Sequence, residues 1–229
     1  MKLSVMQPYI FPYLGYYQLI KNSDVFVIYD DANYIKQGYI NRNNILAKDN
    51  PQRFTIPVPK SSSNKKIKDL SYSNEVDKFL QTIKQSYRNA PYFSDVFPII
   101  EKIIGFGNRS ISAVCLNEYV TVFDYLRCPV NIIKSSELEY DRSLSASDKL
   151  IDMANNLDCE EYVNSYGGIS LYDKEYFSAN NIKLSFLKMN EISYSQNNKG
   201  FVPNLSIIDV LMWNSPEEII NFLGEVEVL

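Results

Sequence analysis

The stretch Met6-Gln7-Pro8-Tyr9-Ile10-Phe11-Pro12-Tyr13-Leu14-Gly15-Tyr16-Tyr17 lies between two apolar runs, Leu3–Met6 and Val25–Tyr29. Pro8 and Pro12 each hold φ near about −65° and remove a backbone donor. That bars the stretch from the interior of a regular strand or helix. Leu3–Met6 reads as a buried strand, and Leu14–Lys21 as a helix closed by Asn22-Ser23. Val25–Tyr29 is uninterrupted and apolar, as expected of a strand covered on both faces. The spacing fits a βαβ crossover, which is right-handed when the strands are parallel. A stiff aromatic loop between two buried elements costs stability unless it does something, so the loop is the first place to look for a ligand.

Beyond Tyr29 the sequence predicts a polar stretch, Asn33–Asn44, and a strand over Arg53–Val58 stopped by Pro57 and Pro59. The middle reads as helical. Asn74 caps a helix running to Tyr87, with Val76, Phe79, Leu80, Ile83 and Tyr87 on one face. Tyr92–Ile104 follows, closed by Gly105-Phe106-Gly107, and then a helix from the cap Ser110 to Leu126. The last third alternates: strand Val130–Ile133, helix Ser145–Leu157, strand Glu161–Asn164, helix Ser170–Ala179, strand Ile182–Leu187. Helices Leu205–Trp213 and Pro216–Leu223 end it, the second capped by Ser215. Alternation at both ends predicts an α/β fold with a mostly parallel sheet, helices on both faces and a helical middle lobe. The type expected is Rossmann-like or nucleotidylyltransferase-like. With no repeat and no clear linker, residues 1–229 are expected to form a single domain, with 74–127 as a helical insertion or cap.

Composition narrows the function classes. Net charge is −4 and the pI is near 5.0, whereas a general nucleic-acid binder shows a basic face. The Lys65-Lys66-Ile67-Lys68 cluster after Ser61-Ser62-Ser63-Asn64 reads as a solvated loop. No run approaches the roughly 20 apolar residues that span a bilayer. Lys2 before a strand-like run is no secretory signal, so the expected compartment is the cytoplasm, without membrane insertion. Cys115, Cys128 and Cys159 are far apart and lack C-x-x-C spacing, so neither a disulfide framework nor a metal site is expected. Histidine is absent, which excludes His-ligated metals and His-dependent triads; acid–base work falls to Asp, Glu, Lys, Tyr or the substrate. The 18 tyrosines suit a pocket for sugars or nucleotides, because each buries a ring while its hydroxyl reaches a polar ligand.

Ligands of open α/β sheets bind beyond the carboxyl ends of the strands, and three segments qualify. Gln7 directly follows the first strand and offers donor and acceptor. Asp30–Asn43 brings two carboxylates, Lys36, Arg42 and several amides past the second strand. Adjacent aspartates point in different directions, so one is expected to bind a ribose, a metal-bound phosphate or an amine while the other caps a turn. Arg42 offers a planar fork for phosphate or carboxylate; the alternative is a polar loop braced by Asp–Arg and Asp–Lys pairs. Asn164-Ser165-Tyr166-Gly167-Gly168-Ile169-Ser170-Leu171-Tyr172 runs from strand end through a Gly-Gly pair to an expected helix start. That suits an anion, or else a tight turn needing positive φ. Ser135-Ser136, past another strand, is a fourth candidate.

Together these segments resemble the WbqC-like family of bacterial proteins. The resemblance rests on Met6–Tyr16, Asp24-Val25-Phe26-Val27-Ile28-Tyr29-Asp30-Asp31, Tyr34-Ile35-Lys36, Asn41-Arg42-Asn43, Ala90-Pro91-Tyr92-Phe93, Tyr162–Tyr172 and Pro203-Asn204-Leu205-Ser206-Ile207-Ile208-Asp209. Many members carry His before the Gln-Pro pair; this chain has Met6, so no catalytic histidine carries over. The resemblance implies a place in O-antigen and other surface-polysaccharide gene clusters. The implied task is transfer of an acyl or aminoacyl group to the amine of a nucleotide-linked amino sugar, dTDP- or UDP-linked. Under that expectation Asp30, Asp31 and Lys36 are the candidate catalytic residues, a carboxylate taking the amine's proton. Arg42 and the glycine turn (Asn164, Ser165, Gly167, Gly168) hold the diphosphate. Tyr9, Tyr13, Tyr16, Tyr34 and Tyr172 pack sugar and base, with Asn43 alongside. Gln7, Asn41 or a backbone N–H serves the developing oxyanion. Acyl-CoA or ATP is the co-substrate expected, and a homodimer is compatible. Two other readings stay open. Strand, Pro/Gly loop, helix and a strand ending in acid resemble the start of nucleotidylyltransferase-like enzymes, including ATP-dependent amide ligases, whose loop histidines are missing here. A non-catalytic sugar-nucleotide binding protein fits the lack of His and of a placed nucleophile.

Overall fold

A computed structural model describes residues 1–196 and 200–229. The first apolar run forms β1 (Lys2–Met6), the proline loop leads into α1 (Leu14–Lys21), and the second run forms β2 (Val25–Ile28). A hairpin follows, β3 (Arg42–Ala47) and β4 (Asn50–Thr55), and then α2 (Asp77–Tyr87), α3 (Phe93–Ile104) and α4 (Ile111–Tyr125). The chain returns to the sheet with β5 (Ile132–Lys134), α5 (Ala146–Asn156), β6 (Glu161–Ser165), α6 (Lys174–Ala179) and β7 (Lys183–Met189). It closes with α7 (Ile207–Trp213), α8 (Pro216–Gly224) and β8 (Val226–Val228). Among the described residues no helix is long and apolar enough to cross a membrane.

Five parallel strands and one antiparallel edge strand make the sheet, in the order β5-β2-β1-β6-β7-β8. Period-two alternation assigns the faces. Leu3, Val5, Val25, Val27, Tyr162, Leu184 and Phe186 pack with Leu150, Ile151 and Ala154 of α5 and Phe177 of α6. Phe26, Ile28, Val163 and Leu187 turn to the opposite face, toward α1, α7, α8 and the helical lobe. Helices thus cover both faces, as the alternating pattern predicts. The helical lobe and the hairpin share this second apolar cluster through Ile45, Phe54, Ile83, Ile100 and Val122. From β1 the chain winds outward to β2 and β5, then restarts beside β1 with β6 and β7. The carboxyl ends of β1 and β6 are therefore neighbours at the point where winding reverses, where such sheets open a crevice.

Several expected boundaries are corrected. The polar stretch Asn33–Asn44 ends in strand: Arg42, Asn43 and Asn44 pair with Thr55, Phe54 and Arg53. The strand expected over Arg53–Val58 begins at Asn50 and ends at Thr55, and Pro51 fits because β4 is an edge. The two-residue turn is Lys48-Asp49, both at positive φ (48° and 66°), the geometry a tight hairpin requires. α2 starts at Asp77 after Val76, not behind Asn74. The helix expected from Ser170 starts at Lys174, because Asp173 caps it with hydrogen bonds from the Glu175 and Tyr176 N–H groups.

Candidate functional site

Buried side chains from three distant elements fix the loop between β1 and α1. Phe11 adopts φ 47°, a left-handed conformation costing about 1–2 kcal/mol in a non-glycine residue. Its N–H donates to Glu118 Oε2 at 3.0 Å. Its carbonyl accepts from Asn43 Nδ2 at 2.8 Å and from Ser206 Oγ at 2.7 Å. The Ile207 N–H donates to the Pro12 carbonyl at 2.7 Å. The Tyr119 hydroxyl donates to the Tyr9 carbonyl and accepts from its N–H (2.9 and 3.1 Å), and the Tyr16 hydroxyl donates to the Gln7 carbonyl at 3.0 Å. Glu118, fully buried and without an ion pair among the described residues, also accepts from the Tyr17 hydroxyl. Burial pushes its carboxyl up to about 8, against the pull of the Tyr17 and Phe11 hydrogen bonds.

Held this way, the loop walls an open cleft of about 400 Å³ lined by Tyr9, Tyr13, Tyr39, Asn43, Asn44 and Asn204. Tyr9 stands edge-on to Tyr16, ring centroids 5.1 Å apart, and tilts against Tyr39 at 6.1 Å. Tyr39 is 60% exposed. Asn43 is committed to the Phe11 carbonyl and the Asn44 N–H, whereas the side-chain amides of Asn44 and Asn204 carry no hydrogen bond among the described residues. A small apolar recess, about 40 Å³, shares Tyr13 and Asn204 with the cleft and is backed by Leu14, Met189, Ile192 and Phe201. Three aromatic rims, uncommitted amides and an apolar back are the mixed lining of a small-molecule site. A larger groove of about 530 Å³ runs between β4 and α2 with mixed charges, and no strand-end loop of the sheet contributes to it.

Gly15 explains the position of Tyr13. A Cβ there would meet the Tyr13 ring at 2.4 Å, so the ring lies across the start of α1 only because residue 15 has no side chain. Gly15→Ala is expected to swing the ring aside at little cost in stability, since the clash is with a movable ring and alanine favours a helix by about 1 kcal/mol. The check is a near-unchanged melting temperature together with altered binding of any ligand of this cleft; unaltered binding would remove Tyr13 from the site.

Tyr9, Tyr13 and Asn43, all candidates from sequence, come together in the cleft; others go elsewhere. Asp30 and Asp31 do not diverge: Ser135 Oγ donates to Oδ1 of both, at 3.1 and 2.6 Å. Ser136 binds Asp30 through its N–H and hydroxyl, both at 2.9 Å. Tyr140 and Arg142 Nε donate to Asp31 Oδ2 at 2.7 and 2.8 Å. Burial pushes the Asp31 carboxyl up, but these hydrogen bonds and the Arg142 charge outweigh it and hold it below the usual carboxylate range. Lys36 is exposed. Tyr16, Tyr34 and Asn41 are buried, and the Asn41 amide donates to the Ile56 carbonyl at 2.9 Å. Gln7 is half-buried past β1.

The glycine turn is not an anion cradle on a helix. Neither Gly167 nor Gly168 has positive φ; both lie in a short 3₁₀ turn over Tyr166–Gly168, which residues 169–173 separate from α6. A Cβ at Gly168 would sit 2.8 Å from Asn164 Nδ2 and push that amide aside, while Asn164 Oδ1 accepts from the Ser165 N–H. Tyr172 packs edge-on against Tyr162 and Phe177. Sequence reasoning missed Tyr39, Asn44, Asn204 and Glu118. Only Glu118 carried a signal, a lone carboxylate on the apolar face of α4. Among the described residues no three His, Cys, Asp or Glu side chains are grouped to hold a metal ion.

Comparison with known proteins agrees with the sequence segments above. The WbqC-like protein family matches residues 7–221. An uncharacterized protein of Mycobacterium tuberculosis, Rv1507c, is 24% identical over 215 residues, covering 92% of each chain. No solved structure matches significantly.

Proposed function

The chain belongs to the WbqC-like protein family, and on that premise we propose that it transfers an acyl or aminoacyl group to the amine of a nucleotide-linked amino sugar in surface-polysaccharide synthesis. The cleft carries this reading: Tyr9, Tyr13 and Tyr39 offer ring faces to a pyranose, and Asn44 and Asn204 offer uncommitted amides to its hydroxyls. The amine attacks the acyl carbonyl carbon, the bond to the leaving group breaks, and a thiolate leaving group takes the proton the nitrogen loses. An Asn44 or Asn204 N–H stabilises the oxyanion formed in between. Positioning supplies the rest, because Asp31 is held ionised by its own partners. In this reading Asp30 and Asp31 support the strand ends, and Lys36 serves at the rim.

A second reading, an ATP-dependent amide ligase in the cytoplasm, is favoured by the strand order. Counting only the parallel strands along the chain, the sheet runs 3-2-1-4-5, the Rossmann-like order, and the proline loop lies where β1 meets α1. Thermal shift separates the readings. A dTDP- or UDP-linked amino sugar at about 100 times its Kd adds about 2.7 kcal/mol, or roughly 5–11 °C for a chain of this size, and Tyr9→Ala abolishes the gain. Stabilisation by ATP without a sugar nucleotide selects the ligase. Stabilisation by the sugar nucleotide with no turnover against acyl-CoA or ATP selects a binding protein. No response to any sugar nucleotide ends the leading reading.

A further inference from the structure

Charge is unevenly placed in this acidic protein. Residues 32–68 hold eight of the 23 Lys and Arg side chains but one of the 27 Asp and Glu, Asp49. These residues are the loop after β2, the hairpin and the Ser61–Lys68 segment. The Lys65 carbonyl accepts from the Tyr34 N–H at 2.9 Å, and Asn33 bridges Lys66, so the Ser61–Lys66 loop lies against the strand-end segment. Arg42 leaves β3 on the same half-exposed face as Asn44, one strand repeat from the cleft. Among the described residues its side chain makes no hydrogen bond or ion pair, and its Nε is buried without a partner. An orphaned buried donor is costly to a fold, the more so on a charged group. The guanidinium also acts on the Tyr34 hydroxyl: burial raises that group, while the Arg42 charge and a hydrogen bond with Ser61 oppose the rise.

We propose that Arg42, beside Tyr34 and the Ser61–Lys66 loop, is the seat of a diphosphate group whose carrier extends into the tyrosine–asparagine cleft. The chemistry fits: a planar fork takes two oxygens of a phosphate at once, and the excess of lysine and arginine over residues 32–68 raises the local concentration of a multiply charged anion. Diphosphate arrives on a nucleoside or on a polyprenyl chain; the assignment of a nucleoside rests on the sugar-nucleotide reading above.

Calorimetric titration of the full chain with UDP, dTDP, inorganic pyrophosphate and farnesyl diphosphate tests this. A charge-assisted hydrogen bond is worth about 1.5–3 kcal/mol, so Arg42→Ala is expected to weaken nucleoside diphosphate binding about 10- to 150-fold. Arg42→Lys should fail to restore it, and Arg53→Ala, in the groove between β4 and α2, should leave it unchanged. Arg42→Gln, which keeps much of the side-chain volume, repeats the measurement should Arg42→Ala melt early. Undiminished binding in Arg42→Ala and Arg42→Gln, or an equal loss in Arg53→Ala, overturns the site. Arg42-dependent binding of pyrophosphate or farnesyl diphosphate, with UDP and dTDP no tighter than pyrophosphate, supports the site and removes the sugar-nucleotide reading. UDP-sugar stabilisation indifferent to Arg42 does the reverse.

Discussion

Glu118→Ala lowers the melting temperature by roughly 5–20 °C and unfastens the loop between β1 and α1. The variant leaves two buried donors, the Phe11 N–H and the Tyr17 hydroxyl, without an acceptor. Each orphan costs about 1–3 kcal/mol, and a chain of this length loses about 2–4 °C per kcal/mol. Glu118→Gln keeps an acceptor and most of the volume and falls much less. The pair also isolates a pH dependence. Burial lifts the folded carboxyl to about 8, above its unfolded value, so between about 4.5 and 8 the folded state binds more protons than the unfolded one. Its contribution is therefore complete at acid pH and declines as pH rises to about 8. The melting-temperature deficit of Glu118→Gln relative to the parent should therefore shrink as pH rises across that window. A constant gap would show that Glu118 does not titrate there.

Asp31→Ala costs about 1–3 kcal/mol, from the Ser135 and Tyr140 hydroxyls and the Arg142 guanidinium left behind; Arg142 is half in solvent, so its share is discounted. The sign of its pH dependence is opposite to that of Glu118. The folded carboxyl lies below its unfolded value, so its stabilisation is present above about 4 and is lost as pH falls through the folded value. Activity and melting temperature should decline together in Asp31→Ala, and Arg142→Ala should reproduce part of both. Loss of turnover with an unchanged melting temperature and unchanged substrate binding would restore Asp31 as the base of the reaction.

The two apolar runs, the prolines between them and Asn22-Ser23 locate β1, α1 and β2 nearly to the residue, because buried parallel strands and helix ends carry local signals. Of the β3–β4 hairpin only the second strand carries one, around Arg53–Thr55; the first strand and the turn carry none. Its first strand reads Arg-Asn-Asn-Ile-Leu-Ala, and its turn is Lys48-Asp49 rather than a glycine pair, so tertiary packing through Ile45 and Phe54 enforces what the turn residues do not announce. That hairpin supplies Asn44, the segment before it Tyr39 and the approach to α7 Asn204, which is why half of the cleft was illegible. The aspartates misled for a related reason. Adjacent side chains of a strand point oppositely, but Asp30 and Asp31 lie past the end of β2 and both reach Ser135.

The Phe11 carbonyl is held jointly by Asn43 and by Ser206, 195 residues further along the chain. During synthesis the sheet's first strands and the helical lobe leave the ribosome long before Ser206 does. Until then the Phe11 carbonyl lacks one of its two donors, the Pro12 carbonyl lacks the Ile207 N–H, and Asn204 is not yet in place. Ligand competence is therefore a late event in biogenesis, and a nascent chain halted ahead of α7 would carry a recognisable α/β core with an unfinished mouth.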